Sequence, residues 1–277
     1  LKTTATIPQA RKTVVVGEGK DYIMQHFESS PLARDIRFVY QAEQLGTAHA
    51  LKVAISDINE DSRVLVLFGD VPLIDPETIR RMLDLLESSD LVILTMEVLD
   101  PSGYGRILRD RDGKIEGIVE QKDATSYQEK ICEINTGVMA IDGSKLSHWL
   151  SQIRKNNVQG EYYLTDVVSL ARQDGDEIIS VSPNSVEEIE GVNNRLQLAR
   201  LERHYQLKLA EKLLLSGTSL ADPSRFDQRG ELIVGRDTFI DVNCVFEGSV
   251  ELGSGVLIGP NCQIKDTRIE DKAIILA

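Results

Sequence analysis

The sequence predicts an α/β protein with a mostly parallel sheet, followed by a short all-β segment built from a repeat. Three observations lead there. Through the first two-thirds of the chain, short β-branched runs alternate with helical stretches; those runs are continuously apolar, as strands covered on both faces must be; and a period of six sets in after Asp222-Pro223. A chain of 277 residues with 42% hydrophobic content is long enough for two cores and too apolar for bulk disorder.

In order, Thr13-Val14-Val15-Val16 reads as a buried strand and Asp21 to Phe27 as a helix. Arg63 to Phe68 is a second apolar strand. Asp75-Pro76-Glu77 supplies an N-cap and first turn for a helix over Thr78 to Glu87. Leu91 to Met96 is the next strand. From Gly103 to Glu120 the pattern is that of a hairpin, with its turn at Arg111-Asp112-Gly113-Lys114. Tyr162 to Arg172 reads as a helix stopped near Gly175, and Glu177 to Val181 as a late strand. This first part is expected to be Rossmann-like. Leu198, Leu201, Tyr205, Leu209 and Leu213 then fall at threes and fours, a helix ending near Gly217 that serves as a connecting arm or as the last helix of the first domain.

Beyond it, Val234, Ile240, Phe246, Leu252, Ile258 and Ile264 recur every six residues. Leu232, Thr238, Cys244, Val250, Val256 and Cys262 stand two positions before them, and glycine follows at Gly235, Gly253 and Gly259. One inward aliphatic residue per hexad, without regularly spaced hairpin turns, predicts a left-handed parallel β-helix whose coils are stable only when stacked. The expected division is 1–195 for the α/β domain, 196–216 for the linker helix and 217–277 for the β-helix.

The formal net charge of −13 argues against nucleic acid or an anionic membrane as partner, though a local pocket can still take a small anion. Cys132, Cys244 and Cys262 are widely separated, which fits a reducing compartment, and no apolar stretch reaches membrane-spanning length. Leu1-Lys2-Thr3-Thr4 has no signal-peptide core, so a cytoplasmic location is expected.

Four segments could carry chemistry. Leu67-Phe68-Gly69-Asp70-Val71-Pro72 puts a carboxylate directly after a strand, where α/β sheets bind ligands and where Asp70 could hold a cation; read alone, it is equally a turn or helix cap. Gln41 to Ala50 offers side-chain amides suited to a pyrimidine edge, plus Gly46 and Thr47 before a helix; a polar loop capped by Thr47 competes, and His49 reads as a packed helix residue. Gly103-Tyr104-Gly105, then Glu120 and Asn135, place a carboxylate and an amide at strand edges, as sugar hydroxyls require; solvated hairpin charges are the alternative. Glu190 to Arg195 enters the connecting helix, with Asn193 a competing cap. No nucleophile–base constellation appears, and the four histidines lack metal spacing, which points to positioning and charge neutralisation.

Taken together with Asn156 to Asp166 and Glu190 to Leu198, these segments resemble the bacterial bifunctional N-acetylglucosamine-1-phosphate uridyltransferase/glucosamine-1-phosphate N-acetyltransferase family, in order and through nearly the whole chain. The resemblance implies uridylyl transfer from UTP to N-acetylglucosamine 1-phosphate, giving UDP-N-acetylglucosamine and pyrophosphate. It implies Mg²⁺ held by Asp70 and Asn193, uridine met by Gln41, Gly46 and Thr47, and N-acetylglucosamine held by Gly105, Glu120 and Asn135. It also implies a homotrimer through the β-helix and an acetyl-CoA site in later coils. Phe68 stands at a substrate-binding place where the family has Tyr, and Ala48 where it often has Gly. The family's opening strand and glycine-rich phosphate loop would precede Leu1; lacking that loop, the 277-residue chain is expected to show little or no uridyltransferase activity. Two other functions fit the same residues: another sugar-1-phosphate nucleotidylyltransferase, making ADP- or dTDP-glucose, and a non-catalytic ligand-binding scaffold.

Overall fold

A computed structural model of the chain describes residues 3–28 and 36–276. Leu1, Lys2 and Ala277, on which the expectations about the chain ends rest, lie outside the described residues. Two compact units are present, Leu1–Ile189 and Glu190–Ala277.

The first unit begins with β1 (Lys12–Val16), α1 (Lys20–Glu28) and β2 (Ile36–Tyr40), the two strands pairing in parallel as a sheet of their own. There follow α2 (Thr47–Ala54), β3 (Arg63–Val66), α3 (Pro76–Leu85), β4 (Leu91–Glu97), β5 (Gly105–Arg109), β6 (Ile115–Val119), β7 (Glu133–Asp142), α4 (Gly143–Gln152), α5 (Asp166–Asp174) and β8 (Ile178–Val181). The second sheet runs β6-β5-β7-β4-β8, with β3 also on β7.

This sheet is mixed, and there the expectation of a mostly parallel arrangement needs correction. Only β4–β8 is parallel; β3–β7, β4–β7, β5–β7 and β5–β6 are antiparallel. The reason lies in β7. It returns from the β5–β6 hairpin rather than from a crossover helix, and so enters the sheet centre in the reverse direction. Continuous apolar runs report burial on both faces, not the direction of the neighbouring strand.

That burial is visible in β4, where Leu91, Val92, Ile93 and Leu94 are fully buried. Leu91 and Ile93 join Trp149, Val167 and Ala171 of α4 and α5 on one face; Val92 and Leu94 join Ile79 and Met82 of α3 on the other. Each such side chain contributes about 1.5–3 kcal/mol by leaving water. Asp75 caps α3 as expected, accepting from the Glu77 N–H at 2.9 Å. In the hairpin turn, Asp110 accepts from the N–H groups of Asp112 and Lys114.

The second unit starts with α6 (Arg195–Leu215), then β9 (Ser219–Leu220), β10 (Phe226–Val234), β11 (Phe239–Ile240), β12 (Cys244–Leu252), β13 (Leu257–Ile258), β14 (Gln263–Ile269) and β15 (Ile274–Ile275). They stack as two parallel ladders, β10-β12-β14 and β9-β11-β13-β15. Phe226 pairs with Cys244 and Phe239 with Leu257, so one coil holds three hexads. The predicted inward column is buried at Ile240, Phe246, Leu252, Ile258 and Ile264, and the residues two positions before them, Thr238, Cys244, Val250, Val256 and Cys262, are buried as well.

The period then slips. Glu247 pairs with Lys265, but Val250 pairs with Thr267, so the third coil is one residue shorter. Ile269 therefore sits opposite Leu252, and Ile275 opposite Ile258, where a strict six would have placed Glu270 and Leu276. At the other end, α6 lies on the first coil. Arg203 binds the Ser224 carbonyl and Asp227, while buried Gln206 exchanges hydrogen bonds with the backbone of Gln228. The helix read as a connecting arm thus covers an otherwise unpaired solenoid edge.

Candidate active site

The first element of the site is the segment after β2. Gln41 continues the β1–β2 pairing by donating its N–H to Val16, and its buried side chain turns back on its own loop. The Nε2 group donates to the Gly46 carbonyl at 3.3 Å and meets His49 Nδ1 at 3.0 Å. Gly46 has φ 109° and ψ 176°, and a Cβ there would stand 2.5 Å from the Tyr162 carbonyl oxygen. Only glycine fits on both counts.

Residues 161–164 close over this loop. Tyr162 donates its N–H to Leu45 and accepts from the Ala48 N–H, and the Leu164 N–H donates to Thr47 Oγ1 at 2.9 Å. Thr47 is therefore no helix cap. Its hydroxyl serves a different strand of the chain, and Gly46 occupies the cap position without a side-chain bond. The same contacts explain why α5 begins at Asp166 rather than at Tyr162: the backbone of 162–164 is already bonded to the loop.

Gly105, Glu120 and Asn135 come together. Gly105 pairs with Asn135 across β5 and β7, and a Cβ on Gly105 would stand 3.3 Å from Glu120 Oε2. Asn135 is buried, and its Oδ1 accepts from the Gly137 N–H at 3.1 Å. Here β7 bulges: Ile93 pairs with Met139 but Thr95 with Asn135, and Gly137 in the excess has φ 85°. The Phe68 ring rests on that glycine, with Cε2 2.5 Å from where a Cβ would be.

Sequence reasoning assigned no role to Thr165 or Asp166, although both belong to a motif it noticed. Thr165 Oγ1 donates to Glu120 Oε1 at 3.0 Å and so orients that carboxylate. Burial pushes Glu120 above the usual carboxylate range against this hydrogen bond, with Asp123 adding to the rise. Asp166 is pushed up to about 6, chiefly by burial and then by the charges of Glu120 and Asp123. The pocket is thus a half-buried acidic cluster braced by a threonine.

Asp70 is exposed in the turn after β3. Asn193 belongs to the second unit, and its N–H donates to Gln197 Oε1 at 2.8 Å. The cap of α6 is Asn194, whose side chain accepts from the Gln197 N–H, so the capping alternative for Asn193 falls away. No cluster of three or more His, Cys, Asp or Glu suited to a metal is found among the described residues. Asp70 offers a hard oxygen donor of the kind an ion completing its shell with phosphates and water accepts.

Residues 3–111 match the MobA-like NTP transferase domain, and residues 232–266 the bacterial transferase hexapeptide (six repeats). The chain is 47% identical over 264 residues to the bifunctional protein GlmU of Stutzerimonas stutzeri (strain A1501), covering 95% of this chain and 57% of that protein. It is 48% identical over 263 residues to the GlmU of Marinobacter nauticus, with 95% and 57% covered. With the GlmU of Chromohalobacter salexigens the identity is 47% over 277 residues, covering 100% and 60%. The chain therefore spans about three-fifths of the length of the curated relatives it matches.

Proposed function

With the chain a relative of the bifunctional GlmU proteins and its first unit an NTP transferase domain, we propose that it serves uridylyl transfer from UTP to N-acetylglucosamine 1-phosphate. The products are UDP-N-acetylglucosamine and pyrophosphate. The sugar-phosphate oxygen attacks the α-phosphorus and pyrophosphate departs, so the protein's task is to position both anions in line. The observation that carries this reading is the convergence of Gly105, Glu120 and Asn135, linked to the 41–47 loop through the neighbouring Thr165–Glu120 and Leu164–Thr47 hydrogen bonds.

The Glu120 carboxylate accepts from sugar hydroxyl or amide donors, and Thr165 holds it in place. Asn135 presents an amide beside Gly105, whose missing Cβ leaves room for the ring. Both amide hydrogens of Gln41 are committed within the loop, to Gly46 and His49, which leaves its carbonyl oxygen to accept. An acceptor suits the N3–H of uracil. Thr47 and Gly46 fix the loop on which the base lies. Asp70 and Asn193 would hold Mg²⁺, which offsets negative charge on the phosphates when bound. The repeat unit, in this reading, serves a homotrimer, and a cytoplasmic location goes with these substrates; no described helix is long and apolar enough to cross a membrane.

Equilibrium titration of UTP, ATP and dTTP, each with Mg²⁺, tests the base. UTP is expected to bind tightest; a preference for ATP or dTTP would instead favour a different sugar-1-phosphate nucleotidylyltransferase. For the sugar, Glu120→Gln is expected to weaken N-acetylglucosamine 1-phosphate about tenfold or more, because a charged hydrogen-bond acceptor becomes neutral.

A further inference from the structure

One guanidinium of the first unit is buried without a carboxylate. Arg106, on β5 directly after Gly105, is 2% exposed, and it and Glu188 are the charged residues buried to this degree among those described. Glu188 accepts from the Asp75 N–H, the Thr78 hydroxyl and the Asn184 N–H, so donors surround its charge. Arg106 meets neutral oxygens instead. Its Nη1 donates to the Tyr104 carbonyl, and its Nη2 donates to Gln121 Oε1 at 2.7 Å and to the Glu129 carbonyl at 3.4 Å. Its Nε is buried with no hydrogen-bond partner among the described residues. Exposed Asp100 feels the Arg106 charge only as the smallest of four influences.

A buried charge facing neutral acceptors is costly, and an apolar side chain of similar volume often serves stability as well or better. What the fork supplies is geometry. Side chains alternate along a strand, so Arg106 projects from the face of β5 opposite to the one on which Gly105 meets Glu120. Two of its acceptors flank that meeting, since Tyr104 precedes Gly105 and Gln121 follows Glu120. Gln121 Oε1 also accepts from the Gly103 N–H at 3.2 Å, which closes a bridge between the two segments. A Cβ on Gly105 would stand only 3.3 Å from Glu120 Oε2, so a shift of about 1 Å in either segment changes what the gap admits.

We propose that Arg106 is a positioning residue for the sugar, fixing the span between Gly105 and Glu120 from the opposite face through Tyr104 and Gln121. The assignment rests on the reading of Gly105, Glu120 and Asn135 as the sugar pocket. Thr165 orients the tip of the Glu120 side chain, and Arg106 fixes the backbone on which that side chain stands. The guanidinium itself touches no ligand. Its planar fork reaches both segments at once, which a single ammonium does not.

Calorimetric titration with N-acetylglucosamine 1-phosphate, alongside urea unfolding followed by Trp149 fluorescence, tests the role. Arg106→Met keeps the volume and removes the fork; its unfolding midpoint is expected to stay close to that of wild type while affinity falls about tenfold. Gln121→Ala alone should lose about as much, and the double variant no more than either single one, because both break the same bridge. Arg106→Lys should recover part of the loss, to about threefold below wild type. Glu188→Gln should show the opposite pattern, a lower midpoint with affinity within about twofold of wild type. Arg106→Met within about twofold of wild type would overturn the role, as would losses that add in the double variant or that follow a matching fall in stability. Should Arg106→Met not fold, Gln121→Ala, at a half-buried position, carries the same prediction. Absence of wild-type binding, or binding that Glu120→Gln leaves unchanged, would sink the sugar pocket and this role together. Binding weakened by Glu120→Gln but untouched by Arg106→Met and Gln121→Ala would sink the role alone.

Discussion

Substituting Gly46 by alanine tests how the 41–47 loop, proposed above to meet the base, is built. The native φ of 109° and ψ of 176° lie where side-chain-bearing residues are strained by about 1–3 kcal/mol. The new Cβ would also stand 2.5 Å from the Tyr162 oxygen and 2.9 Å from its nitrogen. Relieving that overlap pulls Tyr162 away from Leu45 and Ala48, and each lost hydrogen bond costs about 1 kcal/mol. Together these give about 2–5 kcal/mol, on the order of 10 °C in the midpoint for a unit of this size. The chain has one tryptophan, Trp149, buried in the first unit, so urea unfolding followed by its fluorescence reads this unit specifically. UTP affinity should fall as well. A Gly46→Ala protein within about 0.5 kcal/mol of wild type would refute the loop argument, because strain and overlap would then have been absorbed elsewhere.

Three other outcomes follow from the same geometry. Asp166 titrates near 6 in the folded chain against an ordinary 3.8, so the folded state binds more protons between these values and stability falls as pH rises through that window. Solvent screening of this half-buried group leaves an effect on the order of 1 kcal/mol; Asp166→Asn should remove the slope and stabilise the first unit at pH 7, as unfolding at pH 4 to 8 will reveal. Thr165→Val removes the hydroxyl that orients Glu120 and should weaken N-acetylglucosamine 1-phosphate about tenfold while sparing UTP, measured by calorimetry. In the solenoid, a Cβ on Gly235 would meet the Gly253 carbonyl carbon and Ser254 nitrogen at 2.5 Å, so Gly235→Ala should destabilise the second unit by about 1–3 kcal/mol in thermal unfolding followed by circular dichroism.

Much of the fold was legible because burial leaves a periodic trace. The apolar run at Leu91 to Met96, the Asp75-Pro76 helix start and the six-residue columns from Leu232 to Ile264 all correspond to elements of the structure. Direction left no such trace: nothing in an apolar run distinguishes β7 entering antiparallel from a strand entering parallel. The slip after Glu247 was equally hidden, since a coil one residue shorter is visible only when Ile269 is found opposite Leu252. At the site, residue type pointed to Glu120 and Asn135, but their meeting depends on pairing between β5 and β7. Thr165 and Asp166 were passed over because a hydroxyl and a carboxylate beginning a helix look like ordinary capping residues until the structure places them against Glu120. Thr47 misled for the converse reason: its capping chemistry is real, but its partner is Leu164, more than a hundred residues away.

A crystal structure with UDP-N-acetylglucosamine bound tests the account most directly, because the sugar pocket is its centre. The account predicts the N-acetylglucosamine ring seated over Gly105, hydrogen-bonded to the Glu120 carboxylate and the Asn135 amide, with the uracil against the 41–47 loop. A sugar bound away from Glu120 and Asn135, with those side chains still bonded only to Thr165 and Gly137, would contradict it.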